Sequence, residues 1–193
     1  MTDTKPRIEG RHRTDLIEFH DVEERVGRYL ESVRDAESTN LTFVIKKNKS
    51  GIASFLYALT QGDDPLLRAY FFLRKDGKIV SCVAKASSQA GGAAGAVHGG
   101  LITSIVDQVC GISAFGSGII GVTLTLSMSF KKLLPVDQWF EVTARIGQKE
   151  GRKLKVSCVV HEIGNEAKVF VEAESLFLQR DRDYVSEKVK SNL

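Results

Sequence analysis

One carboxylate stands alone in the most apolar stretch of the chain. From Leu101 to Phe115 the sequence reads LITSIVDQVCGISAF, and Asp107 is its one charged residue. An ionised group among Leu101, Ile102, Ile105, Val106, Val109, Cys110 and Ile112 is costly to bury without partners. Asp107 therefore either faces a cleft or is held there for chemistry. The ten residues Gly91 to Gly100, GGAAGAVHGG, contain five glycines and run directly into this stretch. They let a backbone approach a ligand closely, and they end where a helix begins and its free N–H groups point outward. Other chemistries find no matching pattern. The glycine loop lacks a GK[ST] ending, no GxGxxG follows the preceding strand, and GxSxG and HExxH are absent. His12, His20, His98 and His161 have no metal-ligand spacing. Cys110, in an apolar helix with no histidine nearby in sequence, reads as a core thiol.

The elements that must position these residues follow from periodicity. Leu16, Phe19, Val22, Val26, Tyr29, Leu30 and Val33 recur at helical spacing among charged residues, predicting an amphipathic helix over 16–38. A β-rich run, Leu41 to Ile45, precedes a second helical face, Ile52, Phe55, Leu56 and Leu59, which ends near Gly62. Strands are predicted over 66–73 and 78–85 around a turn at Lys75-Asp76-Gly77, followed by the Asp107 helix from about Gly99 to Phe115. Val122, Leu124, Leu126, Met128 and Phe130 alternate with Thr123, Thr125, Ser127 and Ser129 in a strand of period two. Further strands over 139–147, 152–163 and 168–179, with a turn at Gln148 to Gly151, complete an antiparallel meander. A sheet of about six strands wrapped around one long helix is an α+β domain. It is expected over residues 63–180, with an N-terminal helical extension over 1–62 and a tail over 181–193.

At 193 residues and 42% hydrophobic, the chain is large enough for one substantial core. Its formal net charge is +3, and residues 1–13 account for +2 of it, so no basic stripe points to nucleic acid. Those first residues are expected to be disordered, and Ile8 to Arg11, IEGR, reads as a protease-cleavage tag. Three widely spaced cysteines, Cys82, Cys110 and Cys158, fit a reducing compartment. No apolar run is expected to span a membrane and no secretory segment is evident, so the expectation is intracellular, in the cytoplasm or the mitochondrial matrix.

The string VHGGLITSIVDQVCG, Val97 to Gly111, resembles the HGG-x6-D signature of hotdog-fold acyl-CoA thioesterases of the PaaI type. The residues that follow, Val122 to Val160, are similar to that family's central strands, and most of all to the branch of thioesterase superfamily members 4 and 5. The resemblance covers roughly residues 65–179. It implies an acyl-CoA substrate, no cofactor beyond the CoA of that substrate, and sites shared across the interface of a dimer or a dimer of dimers.

Asp107 lies seven residues beyond Gly100, roughly 10 Å along a helix at 1.5 Å per residue, so one chain's carboxylate does not readily meet its own helix N-terminus across one carbonyl. An antiparallel neighbour resolves this by placing its glycines opposite Asp107. In the family's arrangement the N–H of Gly100, with Gly99 beside it, polarises the thioester oxygen. Asp107 then activates water or attacks directly, and the sequence leaves both open. Thr123 lines up with the family's water-orienting Ser or Thr, and reads as a plain strand residue unless it is brought to Asp107. His98 is expected to orient the glycine loop and contact the thioester sulfur, or simply to be satisfied at the helix start. Lys131, Lys132, Arg152 and Lys153 supply positive charge for CoA phosphates, or protect a strand edge and a hairpin. Where relatives carry Asn or Gln six residues before the histidine this chain has Gly92, leaving Gln89 as the nearest amide. A non-catalytic hotdog protein that binds acyl-CoA or a partner is the alternative. The two N-terminal apolar faces must cover apolar surface, near the acyl tunnel or along the sheet, and are expected to limit acyl length.

Overall fold

A computed structural model of the chain describes residues 24–35, 38–40, 55–74 and 78–180. The predicted run over 41–45, the turn at 75–77, residues 1–23 with the start of the first helix, Ile52, and the tail over 181–193 lie outside the described residues. Helix α1 spans Glu24–Asp35 and α2 spans Phe55–Leu59. The central helix α3 spans Gly99–Gly116. Strands are β1 (Ser38–Asn40), β2 (Leu67–Arg74), β3 (Ile79–Ala86), β4 (Gly121–Phe130), β5 (Trp139–Glu150), β6 (Lys153–Glu162) and β7 (Asn165–Gln179). They form one antiparallel sheet in the order β1-β2-β3-β5-β6-β7-β4. The six long strands match the expected hotdog architecture, and the three-residue β1 is an added edge.

Three details differ from the periodicity reading. β4 pairs with β7 rather than with β5, its neighbour in sequence, so the last third is not a simple meander. The chain crosses from β3 through α3 to the far edge of the sheet and returns, which is how the sheet closes around the helix. The β5–β6 turn is Gly151-Arg152 alone, because Glu150 already pairs with Lys153. Gly151 takes the positive φ of 54° that such a tight turn asks for. Third, α3 is by length and composition apolar and long enough to cross a membrane, contrary to expectation. Its hydropathy has another cause: Ile102, Ile105, Val106, Val109 and Cys110 are buried in one core with Phe71, Phe140, Val142, Val160 and Phe170 of the sheet.

Strand alternation puts a second set of side chains on the sheet's outer face, and α1 covers them. Val26 and Leu30 of α1 pack with Phe72, Val83 and Trp139, and Trp139 stacks on Tyr70 at a ring separation of 6.1 Å. Beneath the same helix, the hydroxyl of Tyr29 donates to Oε2 of the buried Glu141. The imidazole Nε2 of His161 lies 4.0 Å from that oxygen. A polar group in so dry a place needs such partners. Of the two surfaces left open for the first N-terminal helix, α1 therefore takes the sheet, on the face away from α3. Leu30 is fully buried, so Leu30→Ala is expected to cost about 2–5 kcal/mol. Trp139 is the only tryptophan, and its emission should shift to the red as α1 loosens; an unmoved spectrum with unchanged stability would contradict this packing.

Candidate functional site

The glycine loop is tied down along its length. Two single 3-10 turns, Ser88–Ala90 and Ala93–Gly95, fold it back on itself. The connection between β4 and β5 braces it: Val97 N–H donates to Leu134 C=O at 2.8 Å and Val136 N–H to Gly95 C=O at 3.1 Å. A Cβ on Gly91 would stand 2.9 Å from the carbonyl oxygen of Ser88, and one on Gly92 3.2 Å from the Cα of His98, so these two glycines are where the loop needs close approach.

His98 caps α3. Its Nδ1 accepts from the Gly100 N–H at 3.0 Å, and its carbonyl accepts from Leu101 and Ile102 at 2.9 and 3.2 Å. Histidine here does what Ser, Thr or Asp usually does at an N-cap. Nothing among the described residues accepts from the Gly99 N–H. The helix thus begins with one N–H unspent and one held by an imidazole, both at the positive end of an 18-residue helix dipole.

Asp107 sits about two turns further on, half-buried on the side of α3 that faces β4. Thr123 Oγ1 donates to its Oδ1 at 2.8 Å, within a single chain. Strict alternation would point Thr123 away from the helix, opposite the half-buried Leu126 and Met128. A bulge between Thr123 and Thr125 breaks the register with β7 and turns Thr123 inward. The same bulge leaves Val122 and Leu124 outside, at 45% and 47% exposure, where the alternation had them facing the core. Among the described residues β4 is one of the two edges of the sheet, so Asp107 and Thr123 stand at a border with solvent.

The candidate binding residues separate into two ends. Lys131 and Lys132 follow β4 and line a cavity of about 590 Å3 with His98, Gly99, Phe130 and Leu133. Lys131 pairs with Glu172 at 2.9 Å. Arg152 and Lys153 lie at the other end of β4: Lys153 and Val122 both pair with Leu178, and Arg152 Nε donates to the carbonyl of Gln179, the partner of Gly121. This is the Thr123 end. Gln89 lines a second cavity, of about 500 Å3, with His98, and its amide donates to Asp64 at 2.8 Å. Sequence reasoning missed Asp64, whose only signal was its place in a chain-breaking Asp63-Asp64-Pro65.

The cysteines have no part in this site. All three are buried. Burial, reinforced by the charge of Glu141, pushes the Cys82 thiol up; a hydrogen bond with Cys110, then burial, does so for Cys158. A disulfide-exchange reagent at pH 8 should therefore label none of them in the folded protein and all three in denaturant. Rapid labelling of the native protein would contradict this burial.

Residues 94–167 match the Thioesterase superfamily. Acyl-coenzyme A thioesterase THEM4 of Rattus norvegicus is 34% identical over 112 residues, covering 58% of this chain and 48% of that protein. Acyl-coenzyme A thioesterase THEM5 of Homo sapiens is 31% identical over 98 residues, covering 51% and 39% respectively. The chain thus spans about half or less of the length of these curated relatives. Among solved structures, the E. coli PaaI protein from the phenylacetic acid degradation operon superposes with a TM-score of 0.52 at 11% identity, over 60% of this chain and 80% of that one. The chain has the hotdog fold, and its residues 94–167 are similar to the Thioesterase superfamily.

Proposed function

We propose, from this similarity to the Thioesterase superfamily, that the chain hydrolyses acyl-CoA thioesters to free acid and CoA. The observation that carries the reading is the Thr123–Asp107 hydrogen bond of 2.8 Å. It holds a carboxylate, set in an otherwise apolar helix, in one orientation beside open solvent. A donor that fixes one oxygen leaves the other to take a proton from water or to attack a carbonyl. The N–H groups of Gly99 and Gly100 meet the thioester oxygen as negative charge develops there, with His98 rotating to release Gly100. The two halves act on one carbonyl when a second copy docks along β4. That edge has free backbone groups and exposes Val122, Leu124 and Phe130, and adding a strand there would cover both. The antiparallel partner then brings its His98–Gly100 turn, with Lys131 and Lys132, toward Asp107, Arg152 and Lys153. Basic residues from both chains meet the CoA phosphates. Buried free thiols suit a reducing compartment, cytoplasm or mitochondrial matrix.

The test is CoA release from a panel of acyl-CoAs, followed with a thiol reagent that the protein's own cysteines do not consume. Release is expected for at least one chain length. Tight binding of every member without release would assign the domain to acyl-CoA binding instead.

A further inference from the structure

α2 stands against the site but outside the residues that match the superfamily. Leu56 anchors it, 2% exposed in the main core. Phe55 and Leu59, four residues apart and so on one face of the helix, line the 500 Å3 cavity with Leu66 and Leu101. His98 and Gly100 line the same cavity. Phe55 is 65% exposed, a large apolar side chain held in water beside the site.

His98 also lines the groove of Lys131 and Lys132, so it stands between an open apolar groove against α2 and one that carries two lysines. A ligand with a hydrocarbon arm and an anionic arm joined at a carbonyl fits that division in one orientation only. We propose that the α2 cavity seats the acyl chain and that Phe55 and Leu59 set which chain lengths the protein prefers. This deepens the thioester-hydrolysis reading and rests on it. Phe55, Leu59, Leu66 and Leu101 offer a tail no hydrogen bonds; the polar side chains of the cavity are Gln89, whose Nε2 donates to Asp64, and His98 at the end where the carbonyl would sit. An unsubstituted acyl chain is therefore preferred over one bearing hydroxyl groups. α1, on the opposite face of the sheet, has no part in this selection.

The experiment uses the full chain and two variants, Phe55→Ala and Leu59→Trp, with two readouts across saturated chains from acetyl to palmitoyl. One is kcat/KM for CoA release; the other is Kd for the matching non-hydrolysable acyl-CoA thioethers. Phe55→Ala removes an exposed side chain and should leave the fold intact, as reported by Trp139 emission. Leu59→Trp fills the groove and should weaken long chains about tenfold or more in both readouts, with acetyl changed less than about twofold. Phe55→Ala should lower the preference for long over short chains by a smaller factor. Parallel length profiles for wild type and both folded variants would overturn the assignment. Absence of CoA release with intact, length-dependent thioether binding would sink hydrolysis alone, because the binding arm would still place the tail.

Discussion

Asp107→Asn is expected to lower kcat by about a hundredfold or more, with little change in KM and no loss of fold. The side chain is half-buried, its partner among the described residues is the hydroxyl of Thr123, and amide and carboxylate are nearly the same size. Thr123 can donate to an amide oxygen as well as to a carboxylate. The structure around position 107 should therefore survive, while the group that takes a proton or attacks a carbonyl is gone. Asp107→Ala should be at least as severe and relieves, rather than creates, the burden of a carboxylate among apolar neighbours. Thr123→Ala separates orientation from chemistry. It removes the donor that orients the carboxylate but keeps the carboxylate itself, so its effect on kcat should be smaller than that of Asp107→Asn, about tenfold. Near-normal turnover by a folded Asp107→Asn protein would remove this residue from the mechanism.

Asp107 was legible because composition alone marked it: one charge in fifteen otherwise uncharged residues is a local anomaly that needs no tertiary knowledge. The strands of the sheet were legible for a similar reason, since period-two patterning is a local property. The Thr123 contact was not legible in the patterning, and the family resemblance alone pointed to that residue. The contact depends on a bulge, and a bulge inverts the inference that alternation licenses: the residue expected outside is turned in, and Val122 and Leu124 are turned out. The place of β4 was hidden too, because its partner, β7, begins 35 residues after β4 ends, and periodicity says nothing about which strands meet. The two N-terminal apolar faces looked alike in sequence. α1 lies on the outer face of the sheet, over Trp139 and Glu141, while α2 stands beside His98. Only the three-dimensional path of the chain separates a structural brace from a wall of the site. The histidine illustrates the converse: its two candidate roles, capping and contact with substrate, are physically linked, because the N–H it caps is the one the thioester would need.

That link gives the sharpest test of a shared site. Asp107→Ala and Gly100→Val proteins, each nearly inactive alone, should recover about a quarter of wild-type activity when their subunits exchange. A Cβ at position 100 would lie 3.0 Å from His98 Nδ1 and 3.1 Å from its Cε1, so a branched side chain there displaces the cap and obstructs the approach to the N–H groups. The Asp107→Ala chain keeps an intact helix start, and the Gly100→Val chain keeps an intact carboxylate. Random mixing makes about half the dimers heterodimers. Each heterodimer pairs the good aspartate of one chain with the good glycine turn of the other at one of its two sites, and joins both lesions at the second. A site contained within one chain predicts the opposite, since every heterodimer would then hold one lesion at each site and activity would stay at the level of the parents. Subunit exchange is followed independently by native mass spectrometry of tagged chains. Exchange without recovery would therefore falsify the shared site and return Asp107 and its own helix N-terminus, about 10 Å apart along α3, to a single-chain mechanism.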